Sequence, residues 1–374
     1  MKKHHFLLAA ISCFFFLQAC QKESIAPLPE STAITTATTN DSPFFNINTV
    51  EDLAKVEQLL AKGEIAVSRN NANEKVVRVP SDSKNAIQAA IDNVAQYGTV
   101  YLEEGNHYEE QPIVITKPVF IVGRTGATIV SNNPFTGFGI TDPVFSIRQT
   151  KRVTIWGIEM QGEVSSSAVE ILNSTHTVLS KNTINGYLSP IGVYEGSNSL
   201  FWKNEIVGRG DYIAGIGIIS GTDNRIIQNK ISGFDWNILC AGQGGLIQGN
   251  ELFGSSNIGL DLSYLPPITQ TSTGDIVGSK IPATNWRVQN NYAHHNYAGY
   301  FVDSGANNNS LINNRGENNE EADLVLASEG PNALGIITPA SFENFVDTGN
   351  NKDFTIMDCG NDNEIVGGKI IPCN

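Results

Sequence analysis

Carboxylates, imidazoles and indoles recur at matching places along this chain. Asp211 follows Asn204 by seven residues, Asp235 follows Asn229 by six, and His294 follows Asn291 by three. Arg209 accompanies Asp211, Trp236 accompanies Asp235, and His295 accompanies His294. Asp261 stands between two leucines in an apolar run. Two chemistries fit such a set. Glycoside hydrolysis with inversion needs two carboxyl groups about 6.5–9.5 Å apart, one protonated and one ionised. Asp211, Asp235 and Asp261 are the candidates. β-Elimination from a uronate needs a base at C5 and a cation against the C6 carboxylate. There His294 or His295 would be the base, Arg209 the neutraliser, and the acidic corners the seat of a Ca²⁺ ion. Trp202 or Trp236 would give a sugar ring its platform. The competing reading makes the same residues a solvated edge where charge is tolerated. The pair His294-His295 is a weak metal signal, because adjacent strand residues face opposite ways.

The elements that must position these residues are repeats. Asn182, Asn204, Asn229, Asn250, Asn291 and Asn314 are separated by 22, 25, 21, 41 and 23 residues. Three residues before each stands Leu179, Phe201, Ile226, Ile247, Val288 or Leu311. Two residues after come Ile184, Ile206, Ile231, Leu252 and Ala293, and only Gly316 breaks the column. A second short apolar strand follows each motif, as in Gly217-Ile218-Ile219 and Gly259-Leu260-Asp261. Self-similarity at this period marks a solenoid. Strands of four to six residues between Gly, Asn and Asp turns leave no room for a helix in each repeat. Asn tolerates left-handed backbone angles and bonds neighbouring backbone, so it suits the corners. Identical stacked corners would let the amides form a ladder.

These repeats resemble those of right-handed parallel β-helix proteins, the pectin-lyase-like superfamily. The run Asn85 to Val94, followed by Gly98 to Leu102, Ile113 to Ile115 and Ile121 to Gly123, is similar to that superfamily's N-terminal cap and first coils. The resemblance covers roughly residues 80 to 371 and implies an all-β solenoid with short capping helices. It does not imply one activity, because the fold hosts lyases, hydrolases, epimerases and non-catalytic proteins. The polygalacturonase Asn-Thr-Asp, Asp-Asp and His-Gly motifs are absent. So is the Asp-Pro-x-His of alginate epimerases, since Asp142-Pro143 is followed by Val144 and Phe145. The Arg-Pro-x-x-Arg of pectate lyases is missing as well. No family's catalytic residues carry over. Two functions stay open: a polysaccharide-active lyase or hydrolase, and a non-catalytic β-helix that binds glycan or a protein partner.

The rest of the chain places this body. Lys2-Lys3, an apolar run from Phe6 to Leu17, and Leu17-Gln18-Ala19-Cys20 resemble a bacterial lipoprotein signal over 1–19. Lipid on Cys20 would anchor the protein to an outer membrane or cell surface without spanning it. An ordinary cleaved signal is the alternative. Residues 20–43, rich in Ser, Thr, Ala and Pro, read as a flexible tether. Residues 44–99 read as a helical cap region, with helices over 49–61 and 82–97 covering the open end of the coil. The β-helix then occupies 100–374. The 41-residue gap implies a loop inserted at about 266–285, often the binding face of a solenoid. It leaves the strand in which period-two alternation turns Asp261 outward. Residues 315–352 read as irregular.

Of the five cysteines, Cys13 leaves with the signal and Cys240 reads as core. Cys359 and Cys373 flank the last coil, either as a disulfide closing that end or as two thiols. The formal net charge of −14 excludes nucleic acid as a partner. An acidic polysaccharide would also be repelled overall, unless a local basic patch or a bound cation intervened.

Overall fold

The computed structural model describes residues 43–44, 46–64, 76–131, 143–165, 167–210, 213–267, 269–331 and 336–373. Cys20 and Asp211 lie outside the described residues. Among the described residues, three long parallel sheets of 12, 10 and 11 strands run side by side. The chain visits the first, second and third sheet in turn and then starts the next coil. It is a parallel β-helix.

Alternation builds the interior. In the first sheet Ile155, Leu179, Phe201, Ile226, Ile247, Val288 and Leu311 are paired in register and buried. The second sheet stacks Ile184, Ile206, Ile231, Leu252 and Ala293 in the same way. Gly316 ends that column for a steric reason. A Cβ there would stand 2.1 Å from Asp323 Oδ1. The third sheet stacks Ile171, Val193, Ile218, Cys240, Leu262, Val302 and Leu326, which makes Cys240 a core residue.

The asparagine ladder runs between the first and second sheets. Each Nδ2 donates to the next Oδ1 at 2.9–3.1 Å from Asn182 to Asn314. The left-handed angle expected at the Asn belongs instead to the residue before it. Lys181, Lys203, Gln228, Gly249, Asn290 and Asn313 have φ between 51° and 65°. The Asn serves the corner through its side chain, which answers buried backbone donors and carbonyls. Two further amide ladders, Asn237–Asn296–Asn319 and Asn309–Asn344–Asn363, brace the other corners.

The helices divide their work. Helix α1, Val50–Ala61, is closed by a capping box between Thr49 and Asp52. It does not cover the end of the coil. Leu53 and Val56 pack on Phe120, Val122, Trp156, Leu200, Trp202 and Ile227 on the outer face of the first sheet. That face is apolar where a solvated one would be polar, and the helix answers it. Helix α2, Ala86–Asn93, is shorter than expected. It sends Ile87, Ala90 and Ile91 into the interior cluster at the N-terminal end. The strands begin at Val76–Val79, about one coil earlier than the sequence suggests.

The insertion leaves the third sheet after Ile258–Leu262 and rejoins the first at Thr284–Gln289. Thr269–Gln270 and Ile276–Val277 pair antiparallel within it. It folds back as a strap, setting Leu265 and Val277 against Leu172, Tyr194 and Ile219. Residues 315–352 are more regular than expected. Strands Arg315–Glu317, Ala322–Leu326 and Phe345–Asp347 continue the coils, with a small hairpin excursion at Gly330–Pro331 and Ile337–Thr338. A disulfide joins Cys359 to Cys373 at the C-terminal end.

Candidate functional site

Two consecutive strands of the third sheet carry the site. In Gly259-Leu260-Asp261-Leu262-Ser263, the two leucines are fully buried inside the coil. Asp261 therefore faces outward, as alternation requires. In the next coil Tyr300 and Val302 point inward and Phe301 stands beside Asp261. Asp303 occupies the next outward position, diagonal to Asp261, with its N–H donating to Leu262 O at 3.0 Å. Diagonal neighbours on a sheet have Cα atoms about 7–8 Å apart, within reach of each other's side chains.

Outward does not mean exposed. Asp261 keeps only 5% of its surface, while Asp303 is half-buried. One oxygen of each carboxyl, Oδ1, is buried without a hydrogen bond, and so is Ser304 Oγ. Burial pushes the Asp261 carboxyl well above the usual carboxylate range, and the charge of Asp303 pushes it further. The indole N–H of Trp236 offsets part of this, without a hydrogen bond of ordinary geometry. Burial also raises Asp303, and the nearby hydroxyls of Ser263 and Ser304 offset part of this without hydrogen bonds of ordinary geometry. Two close carboxyls cannot both ionise cheaply. The pair as a whole therefore holds a proton above the usual carboxylate range. Trp236 and Phe301, both half-buried, flank the pair.

A second polar cluster lies farther along the same face. Glu170, fully buried, accepts from Ser146 Oγ at 3.1 Å and from Ser272 N at 2.8 Å, and also bonds Ser272 Oγ. Arg148 donates to Ser146 Oγ at 2.7 Å and Ser272 Oγ at 3.0 Å. Ser272 belongs to the strap, so this cluster fastens the strap tip to the sheet. Burial raises the Glu170 carboxyl, and the serine bonds and Arg148 oppose that.

The structure brings Asp261 and Trp236 together and separates the other candidates. Asp235 sits at the corner before Trp236, where its carboxylate takes the Ser256 hydroxyl. Arg209 is exposed in the connection after Glu205–Val207. Trp202 is no platform. It is 2% exposed beneath α1, with its Nε1 donating to Gln228 at 3.1 Å. His294 and His295 belong to the second sheet and its corner. His294 stacks on Tyr292 and Phe253, and its Nε2 lies 3.3 Å from Glu251 Oε1. Its Nδ1 meets His295 Nδ1 at 2.9 Å. The histidines are tied into a surface network of that sheet, apart from the aspartate pair. Among the described residues, no three His, Cys, Asp or Glu side chains converge as a metal site would need.

Asp303 is the residue that motif reading passes over. Its signal is the alignment of Gly299-Tyr300-Phe301-Val302-Asp303 under Gly259-Leu260-Asp261-Leu262-Ser263, visible once the 41-residue gap is counted as one coil.

The family model described as "Right handed beta helix region" matches residues 167–335. Several solved structures share the fold at low identity. A polygalacturonase from Erwinia carotovora ssp. carotovora is 13% identical with a TM-score of 0.53, over 82% of this chain and 99% of that one. The A-module of the mannuronan C-5 epimerase AlgE4 from Azotobacter vinelandii is 16% identical with a TM-score of 0.50, over 81% and 96%. ORF18 of Geobacillus virus E2 is 12% identical with a TM-score of 0.50, and the match covers 88% of this chain and 64% of that one. No curated protein matches the sequence.

Proposed function

We propose that this right-handed parallel β-helix binds and processes polysaccharide on the outer face of its third sheet, with Asp261 and Asp303 as the acid–base pair. The observation that carries the reading is the pair itself: two neighbouring outward carboxyls, both raised by burial, beside Trp236 and Phe301. A protonated and an ionised carboxyl are what glycoside hydrolysis asks for. In this reading Asp261 protonates the leaving oxygen as the glycosidic bond breaks, and ionised Asp303 takes a proton from the water whose oxygen bonds to the anomeric carbon. Trp236 and Phe301 offer apolar faces to the sugar ring. The similar structures include a polygalacturonase and a mannuronan epimerase, which is in keeping with a polysaccharide substrate. Elimination is less well supported, because His294 and His295 stand on another sheet.

The test is turnover of a panel of neutral and uronate polysaccharides by the purified protein, with Asp261→Asn and Asp303→Asn assayed on the best substrate. Each variant is expected to lose at least about a hundredfold in kcat, in line with the loss of a general acid or base. Full activity in both folded variants would sink the assignment. Glycan bound but never turned over would replace it with a binding protein, a reading favoured by how little of Asp261 reaches the surface.

The same proposal places the protein at the cell envelope, held by lipid on Cys20. Among the described residues, no helix is long and apolar enough to cross a membrane. Cys20→Ser is expected to abolish lipid labelling and shift the protein out of the membrane fraction. Retention unchanged by that substitution would remove the anchor.

A further inference from the structure

We propose a second glycan site, one for uronic-acid-bearing chains, in a trough on the outer face of the first sheet. Alternation sets it up. Ile226, Ile247 and Val288 point into the coil, so their neighbours Arg225, Leu246 and Arg287 point out, paired in register across three coils. Strands lie about 4.8 Å apart, which sets the two arginine backbones about 9.6 Å apart with Leu246 between them. They line an open trough of about 490 Å³. Asn198 and Asp223 stand at its rim, and Gln289 beside Arg287. Gly245 lines the trough through its backbone alone, and a Cβ there would turn inward onto the Trp286 ring at 2.4 Å.

The two guanidiniums are under-used. Arg225 donates to Asn48 O, and Arg287 donates through Nε to Gln289 Oε1 at 2.5 Å. Among the described residues, neither has a carboxylate oxygen within 4.0 Å; Arg148, Arg152 and Arg209 share that lack, but Arg225 and Arg287 line one trough together. A guanidinium has five N–H donors in a fixed fork matched to carboxylates. On a chain of formal charge −14, two arginines without carboxylate partners in one trough form a local reversal of sign.

The lining selects the ligand. Cations two coils apart answer charges spaced along a chain better than one compact anion. The side-chain amides of Asn198 and Gln289 and the carboxylate of Asp223 suit sugar hydroxyls. The partly exposed Leu246 suits the apolar face of a ring. Asp223 and the charge of the whole molecule disfavour a phosphate-dense polymer. The trough therefore holds acidic glycan away from the third-sheet carboxyl pair, on a separate side of the coil.

The experiment is calorimetric titration of the full chain with a galacturonate trimer, maltotriose and sodium sulfate at low and at high salt. The trimer is expected to bind, more weakly as salt rises. Maltotriose and sulfate are expected to bind at least tenfold less tightly. Arg287→Gln is expected to weaken the trimer about ten- to a hundredfold, as loss of a hydrogen-bonded charge does. Arg225→Gln should do the same. Because Arg225 also holds Asn48, Arg287→Gln is the cleaner variant. Asp303→Asn should leave this Arg-dependent binding in place. Trimer affinity unchanged by Arg287→Gln, equal affinity for maltotriose, or no trimer binding at all would overturn the proposal.

Discussion

At the scale of residues, burial matters more than residue type. Asp235 and Asp261 look alike in the sequence, yet one is tied at a corner and the other is pressed beneath its neighbours. The raised Asp261 carboxyl has a thermodynamic consequence. Its folded pKa lies above the unfolded value of about 3.9, so the folded state holds the proton longer. Stability from this source is complete below about pH 4 and is lost as pH rises through the folded pKa. Glu170 and Glu109, also raised by burial, act with the same sign. They are common to parent and variant and cancel in a comparison. Asp261→Asn is therefore expected to gain stability relative to the parent as pH goes from about 4 to 7. Urea unfolding midpoints at several pH values would check this, and parallel pH profiles for the two proteins would contradict it.

At the scale of elements, the corners bear the polar load. Asn229 donates to Phe201 O at 2.9 Å and Asn250 Oδ1 at 3.0 Å, and accepts from Asn204 N and Nδ2 at 2.9 Å. Asn229→Ala leaves buried partners on both sides unanswered, each at roughly 1–3 kcal/mol. The expected loss is about 3 kcal/mol or more by chemical denaturation. Lys203→Gly, at φ 52°, should change stability by less than about 1 kcal/mol, because relief of the left-handed angle offsets loss of the Lys203 Nζ contact with the Trp202 ring at 4.4 Å. A loss under about 1 kcal/mol for Asn229→Ala would show that the ladder follows from the coil and does not hold it. Helix α1 shows the complementary rule. Its place follows from the apolar outer face of Trp156, Leu200 and Trp202, a property of stacked strands that the helix's own sequence does not reveal.

At the scale of the whole molecule, each coil contacts its neighbours, so stability is nearly one-dimensional. The disulfide between Cys359 and Cys373 spans 14 residues. A cross-link closing a loop of that size contributes about 3 kcal/mol in the chain-entropy account. Reduction is expected to raise hydrogen exchange in Thr355–Asp358 and Lys369–Ile371 while the coils from 182 to 232 keep their protection. Uniform loss of protection along the chain would mean that the solenoid unfolds as a single cooperative unit.

The coil was legible in the residues alone. Periodic apolar columns and asparagines at near-constant spacing state the solenoid, its registers and the outward direction of Asp261, because all of these follow from local alternation repeated along the chain. The sequence could not state which outward residues are covered. That depends on where the strap and α1 come to rest, which joins Ser272 to Glu170 across 102 residues and Arg225 to Asn48 across 177. The diagonal placing of Asp303 beside Asp261 lay within reach of the repeat alignment, but the burial that raises both carboxyls did not. The burial of Trp202 needed a helix from another part of the chain. Desolvation and proximity are set by what packs on a face, and only the tertiary structure decides that.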